Sequence, residues 1–366
     1  MNEYDTVMFY SRLSKKFFRD GIVQAHRLLP GGHIHRTHVV NISCNHIDKE
    51  YIFQRINTDI FGDPEAIMYN IQTLSQHLKE KQTGPNPYSM KILAPCSSIN
   101  SEPGIWFEGS FWRVFPFFKD ALCLDHVTDP KIAHSAGRAF GHFLYHLSEL
   151  DASSINDILP GFHSGTMRAN DFKHAVKTDV TKRKGHIKAM INKVRTHLNQ
   201  LYEFDERKET LPNRVIHHDA KLNNVLLDKN TYHPIAVIDL DTVMSGSVMS
   251  DFGDLVRSLT SSQTEDKASP SELFVNLPVF RALTRGFMEE AREVLNHNEV
   301  KSLVFGAQAI TLMVAVRFLT DYLEGDHYFK ISYPNHNLDR AANQLALFEA
   351  LLKCEPEMKQ IVEAYS

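Results

Sequence analysis

The chain carries two kinds of hydrophobic pattern, and the change falls near Pro130. Before it, apolar residues come in short alternating runs. "EYIFQRIN" (residues 50–57) is rich in aromatic and β-branched side chains and predicts a strand. "SMKILAP" (89–95) and "FWRVFPFF" (111–118) predict two more, and "LLPGGHIHRTHVVNIS" (28–43) is a glycine turn feeding an extended segment through Val39, Val40 and Ile42. Residues 5–18 have amphipathic helical spacing. Residues 63–81 predict a helix with Asp63 as N-cap, Pro64 at the first position and apolar residues at 67, 68, 71, 74 and 78. Beyond Pro130 the helical period takes over: "KIAHSAGRAFGHFLYHLSEL" (131–150) is a strong helix, residues 171–204 hold at least one more, and from Glu272 the chain is nearly all helix. One β excursion interrupts it, "RVIHHDAKLNNVLLD" followed by "HPIAVIDLD" (214–241). The pattern predicts an α+β protein of two parts, a small N-terminal β-sheet lobe at residues 1–118 and a larger, mainly α-helical C-terminal lobe at 119–366.

Composition narrows the partners. With 43% hydrophobic residues and 23% charged, the chain is ordinary for a globular protein. A net charge of −4 provides no global basic field, so neither nucleic acid nor a membrane is expected as a partner. The basic stretch at 180–195 has helical apolar spacing and reads as a solvated helix face. The most apolar segment, 302–319, contains Gln308 and Arg317 and reads as a core helix. Four scattered cysteines and a polar N-terminus fit a reducing, cytoplasmic setting.

The chemistry concentrates in "IHHDAKLNN" (216–224), a polar stretch wedged against apolar "VLL". An aspartate followed five residues later by asparagine, Asp219 and Asn224, is the spacing of a phosphoryl-transfer catalytic loop. The aspartate orients the acceptor hydroxyl and takes its proton. The amide oxygen binds a magnesium ion without adding charge. A second carboxylate is then required from a neighbouring strand. Asp239 ends the apolar run "IAVI", and a hairpin turning at "KNTYHP" would return it beside the loop. Any one of these residues alone reads as a turn former; the set reads as a site.

On these residues the chain resembles the aminoglycoside phosphotransferase and choline kinase-like superfamily of small-molecule kinases, which have a bilobal protein-kinase-like fold. "GGHIHRTHVV", "YIFQRINTDIF", "FWRVFPFF", "HHDAKLNNVLLD", "AVIDLDTVMSGSVMSDFGDLVR" and "VRFLTDYLEGDHYF" are similar to segments of the N-acetylhexosamine 1-kinases. The resemblance implies ATP and Mg2+ as cofactors and the anomeric hydroxyl of an N-acetylhexosamine as acceptor. It implies Asp219 as catalytic base, Lys221 near the transferred phosphate, and Asn224 and Asp239 as metal ligands. Phe115, Phe117 and Phe118 fall on the segment whose backbone would hold adenine. Gly31 and Gly32 form the glycine turn, and His33, Arg317 and Tyr328 are the implied sugar contacts. Arg317 has a plainer alternative, an i, i+4 pair with Asp321. The third-strand lysine of protein kinases is missing. Gln54 or Arg55 stands there, and Arg55 has the right charge. "DFG" at 251–253 lies beyond the hairpin, so Asp251 and Asp254 read as structural, as caps of the helix carrying Arg257.

Two rivals stand beside this reading. One is a kinase of the same fold acting on another small alcohol: an aminoglycoside, choline, homoserine or a methylthio-sugar. The other is a metal-dependent hydrolase using "HIHRTH" with His217 and His218, although such barrels place this motif after a strand and not before one.

Overall fold

The computed structural model describes residues 3–29, 34–127, 129–267 and 273–366. The chain forms two compact units. The first comprises Met1–Ala121 with Ile155–Leu159, and the second Leu122–Ser154 with Pro160–Ser366.

The first unit is a five-stranded antiparallel sheet in the order β1-β2-β3-β5-β4. Its strands are β1 (Ile22–Leu28), β2 (Arg36–Cys44), β3 (Ile47–Arg55), β4 (Ile105–Phe107) and β5 (Ser110–Pro116). Side chains alternate across the sheet as strand geometry requires. Val40, Ile42, Phe53, Trp112 and Val114 pack with Tyr10 and Leu13 of helix α1 (Glu3–Ser14). Helix α2 (Pro64–Glu80) begins as its sequence predicts, Asp63 Oδ1 accepting from the Ala66 N–H at 2.9 Å. Two expectations need correction. Residues 89–95 form no strand: Cys96, just beyond them, donates to β5 (Val114 O, 2.7 Å), the Ala94 N–H turns back to the Ile92 carbonyl, and Pro95 has no donor. Conversely β1, mostly exposed and without a clean apolar alternation, does form one, because β2 offers it a complete edge.

The two-residue β6 (Ala121–Leu122) carries the chain into the second unit, which contains the remaining elements. Helices α3 (Pro130–Leu147), α4 (Gly165–Thr178), α5 (Lys188–His197) and α6 (Asn199–Glu209) precede strands β7 (Arg214–Ile216), β8 (Val225–Asp228), β9 (Pro234–Val237) and β10 (Met244–Gly246). Helices α7 (Val248–Thr260), α8 (Leu277–Ala291), α9 (His297–Glu324), α10 (His336–Lys353) and α11 (Glu355–Glu363) follow. Helix α9 is long and apolar enough to cross a membrane by length and composition, but 83% of its most apolar window is buried inside the protein. Its capping box, Asn296 with Glu299, closes its N-terminus. The wholly buried Glu299 carboxylate also receives the Arg214 guanidinium at 2.6 Å, which ties β7 to α9. Helix α7 crosses α9 at backbone contact: a Cβ on Gly253 would lie 2.6 Å from the Gly306 carbonyl oxygen, so no larger residue fits. That close approach sets the height of Asp251 on α7. The basic stretch 180–195 is only partly the solvated face expected of it. Arg183 donates to Asp326 Oδ2 (2.6 Å) and to the Tyr322 carbonyl (2.7 Å), pinning the turn before α5 to the end of α9.

Candidate active site

The loop between β7 and β8 is held from three sides, all within the second unit. Beneath it, Asp251 of α7 accepts the His217 N–H on Oδ2 and the His218 N–H on Oδ1, each at 2.7 Å. The sequence reading is corrected in detail here: Asp251 is structural, but the N-cap of α7 is Ser247, and Asp251 anchors the loop. Beside it, the His217 ring, fully buried against Phe140 and Phe143 of α3, meets the Ile238 carbonyl through Nε2 at 2.9 Å. Above it, β8 and β9 pair antiparallel, and the Ile238 N–H donates to the Asn224 carbonyl at 2.9 Å. Asp239 is the next residue, so the hairpin brings it back beside the loop. His218 in the loop and Asp239 after β9 both adopt left-handed φ (63° and 61°), which non-glycine residues avoid unless their surroundings hold them there. Gly246 makes room for this, since a Cβ there would lie 2.7 Å from His218 Nε2.

Within this frame the polar groups converge on Asp219. Its Oδ2 accepts Lys221 Nζ at 2.8 Å and Asn224 Nδ2 at 3.0 Å, and its own carbonyl accepts Asn224 Nδ2 at 2.7 Å. Burial pushes the Asp219 carboxyl up, but the Lys221 ammonium outweighs it, with help from His217 and the Asn224 amide, and the net direction is down. Lys221 is held ionised for the reciprocal reason: burial opposes its charge, and Asp219, Asp239 and Asp254 overcome that. Because the Asn224 amide nitrogen is spent on Asp219, its oxygen is the end left to face a cation. Asp239 is exposed and adds a carboxylate. Hard oxygen donors in this number suit a magnesium ion, which keeps waters and substrate phosphate oxygens among its ligands and needs only one or two protein groups. Among the described residues no three His, Cys, Asp or Glu side chains gather as a metal cage.

A pocket of about 230 Å³ opens between α4, α9 and the turn after α9. Arg317 lies in it with its guanidinium over the rings of Phe162 (4.9 Å), Tyr328 (5.4 Å) and Phe329 (5.4 Å), and Nη2 reaches the Tyr328 hydroxyl at 3.2 Å. The i, i+4 pair with Asp321 does not form. Asp321 instead accepts the N–H groups of His327, Tyr328 and Phe329 at 2.8–2.9 Å, and Asn337 Nδ2 besides, fixing the turn that presents Tyr328. Among the described residues Arg317 therefore has no carboxylate partner, and its burial lowers its pKa. The pocket adjoins the loop through Phe162, whose ring also meets His218 at 6.4 Å.

This geometry agrees with what the chain is similar to. Residues 27–272, well over half its length, match the model of the phosphotransferase enzyme family. The chain belongs to that family. Similar solved structures include an aminoglycoside phosphotransferase from Alicyclobacillus acidocaldarius subsp. acidocaldarius DSM 446, with 14% identity and a TM-score of 0.62 over 96% of this chain and 95% of that one. A spectinomycin phosphotransferase solved with ADP and spectinomycin has 12% identity and a TM-score of 0.57 over 98% of both chains. A choline kinase from Cryptosporidium parvum Iowa II matches with 12% identity and a TM-score of 0.57, over 98% of this chain and 97% of that one. At these identities the structures speak for the fold: an N-terminal antiparallel sheet and a larger helical part, as in these kinases.

For a member of this phosphotransferase family, the remaining candidate residues fall as follows. Gly31, Gly32 and His33 lie outside the described residues. Phe115 is buried in β5, and the Phe117 N–H is already spent on the Glu50 carbonyl at 3.1 Å. Arg55 stands at the exposed end of β3, on the face of Phe53 and α1. The opposite face carries a cation that sequence reasoning passed over. Arg113 of β5, only 2% exposed, donates through Nε and Nη2 to Gln54 Oε1 at 2.9 and 2.6 Å, beside Met68 of α2. Glu65 accepts the Trp106 indole N–H at 2.6 Å. The role of Asp251 as anchor of the loop, and Arg168 altogether, were also missed. The first had a legible signal, an acid one turn into a helix after the hairpin; the second had none.

Proposed function

We propose that this phosphotransferase transfers the γ-phosphoryl group of ATP, with Mg2+, to the anomeric hydroxyl of an N-acetylhexosamine. The observation that carries the reading is the adjacency of the braced Asp219 loop to a pocket containing a guanidinium without a carboxylate partner. ATP as donor is supported by the ADP bound in the spectinomycin enzyme of the same fold.

Asp219 Oδ2 is occupied by Lys221 and Asn224, which leaves Oδ1 for the acceptor O–H. Asp219 orients that hydroxyl and takes its proton as the acceptor oxygen bonds to the γ-phosphorus. The bond from that phosphorus to the β-bridging oxygen breaks, and ADP departs with the electron pair. The low pKa of Asp219 makes it a modest base, so positioning and charge neutralisation supply most of the rate. Lys221 is shared: a γ-phosphate competes with Asp219 for its ammonium, and the exchange frees the carboxylate as the donor arrives. Asn224 and Asp239 would hold Mg2+, which when bound neutralises charge on the phosphates. In the first unit the backbone of residues 115–118 would take adenine through groups other than the Phe117 N–H, which the Glu50 carbonyl already holds.

Arg317 and Tyr328 would contact the sugar, the guanidinium donating to its oxygens while the aromatic rings cover its apolar face. A second reading has an observation of its own. The Glu324 side chain on the pocket rim forms no ion pair or hydrogen bond among the described residues, and burial together with Asp171 and Asp321 pushes its carboxyl up against the pull of His174 and His327, as in a site awaiting an amine. Choline or an aminoglycoside is then the acceptor. Acceptor-dependent ADP release, measured over N-acetylglucosamine, N-acetylgalactosamine, their non-acetylated parents, choline and an aminoglycoside, separates the two. The expected result is release with an N-acetylhexosamine and a product whose 31P and 1H NMR places phosphate on C1. Release with a cationic acceptor alone would move the reading to the second.

A further inference from the structure

Two buried threonines on the helices of the second unit return their hydroxyls to their own helix. Thr311 Oγ1 donates to the Ala307 carbonyl and Thr260 Oγ1 to the Val256 carbonyl, both at 2.7 Å and both four residues back along the helix. This is the ordinary solution for a helical threonine away from water. Thr320, nine residues after Thr311 on the same helix α9, does not adopt it, and neither does Thr284 of α8, which is away from the pocket lining. Thr320 is 8% exposed, it lines the pocket that holds Arg317, and its hydroxyl has no partner among the described residues. Across the pocket on α4, the Nε of Arg168 is in the same condition, although the rest of that guanidinium is engaged by Asp171 and by the carbonyls of Gly161 and Phe162. A buried hydroxyl left unpaired costs stability in the free protein, and valine would fill the same volume without that cost. Two such orphans on residues that line one cavity are groups a bound ligand could satisfy.

We propose that Thr320 is a specificity-determining residue, its hydroxyl pairing with one hydroxyl or amide of a polyhydroxylated acceptor, with Arg168 Nε as a second donor to the same molecule. The proposal rests on reading this pocket as the acceptor site. Thr320 takes no part in proton or phosphoryl transfer; it selects what is bound. A neutral hydroxyl that both donates and accepts discriminates among sugars by the substituent it meets, whereas it gives a quaternary ammonium group nothing to pair with.

The test compares wild type, Thr320→Val and Thr320→Ser on the preferred sugar and on its series of monodeoxy analogues. Thr320→Val should raise the acceptor KM about 10-fold, the loss of one hydrogen bond. Turnover at saturation and the KM for ATP should stay within twofold, and the melting temperature without acceptor should be unchanged or higher. Thr320→Ser, which keeps the hydroxyl, should recover most of the KM. One deoxy analogue, the one lacking the group that Thr320 reads, should show the same KM with wild type and Thr320→Val. An unchanged acceptor KM in Thr320→Val overturns the proposal while leaving the pocket as the acceptor site. So does an equal rise in Thr320→Ser, which would make the effect one of packing. If wild type phosphorylates no sugar, the functional reading itself fails, and that is visible before any variant is made.

Discussion

Asp251 is the residue on which the loop's position turns, and replacing it with asparagine separates activity from stability. The carboxylate meets two backbone N–H groups, one on each oxygen, at 2.7 Å. Asparagine keeps one acceptor and turns an NH2 toward the other N–H, losing one charge-assisted hydrogen bond, roughly 1.5–3 kcal/mol. Against this stands the cost of keeping a buried carboxylate charged. Burial pushes the Asp251 carboxyl up to about 6; the His217 ring and the two N–H groups pull the other way, and Asp254 adds to the rise. Two units above the ordinary value correspond to about 3 kcal/mol at pH 8. The two effects nearly cancel, so Asp251→Asn should change stability at pH 8 by no more than about 2 kcal/mol in either direction. Turnover should fall on the order of 100-fold, because a loop shifted by about an ångström misplaces Asp219. The sign of the pH dependence follows from the raised pKa: the contribution of this carboxyl to stability is full below its unfolded pKa and is lost as pH rises through about 6. Wild type should therefore gain about 1–1.5 kcal/mol on Asp251→Asn between pH 8 and pH 5. Urea denaturation of both proteins at the two pH values, with turnover at pH 8, checks this. An identical pH slope in the two proteins, or turnover within threefold of wild type, would refute the argument.

Asp239→Asn removes an anionic oxygen donor and should raise the Mg2+ concentration needed for half-maximal rate at least about 10-fold; a chelator should abolish wild-type turnover and added Mg2+ restore it. An unchanged Mg2+ titration would remove Asp239 from the metal site. Arg317→Met should raise the acceptor KM by roughly 10–100-fold, the worth of charged hydrogen bonds to an acceptor. Its stability should be unchanged or higher, because a buried guanidinium without a carboxylate costs more than it returns. Calorimetry with acceptor titrations reads both, and an unaltered KM would make Arg317 a structural residue.

The parts of the molecule that were legible in the sequence are those whose causes are local. Asp63 and Pro64 open α2 because capping is decided within one turn. The β8–β9 hairpin is readable from two apolar runs around a turn, and with it the return of Asp239 toward Asn224. What was not legible depends on distant partners. Residues 89–95 have a strand's pattern and no strand's neighbour, whereas β1 has the neighbour and lacks the pattern. The strand register that carries Gln54 to the α2 face, where Arg113 donates to it, is set by pairing across the sheet. The pocket joins Arg168 of α4 to Arg317 and Thr320 of α9, and its most informative feature, a hydroxyl that fails to close on its own helix, exists only once the helices are packed.

The account stands on Asp219 as the group that receives the acceptor's proton. Asp219→Asn preserves shape and the contact with Asn224 while removing the base and the charge that pairs with Lys221. It should bind ATP within a few-fold of wild type and turn over about 10²–10⁴-fold more slowly at every pH. Acceptor-dependent ADP release by Asp219→Asn within tenfold of wild type, with ATP affinity intact, would contradict it.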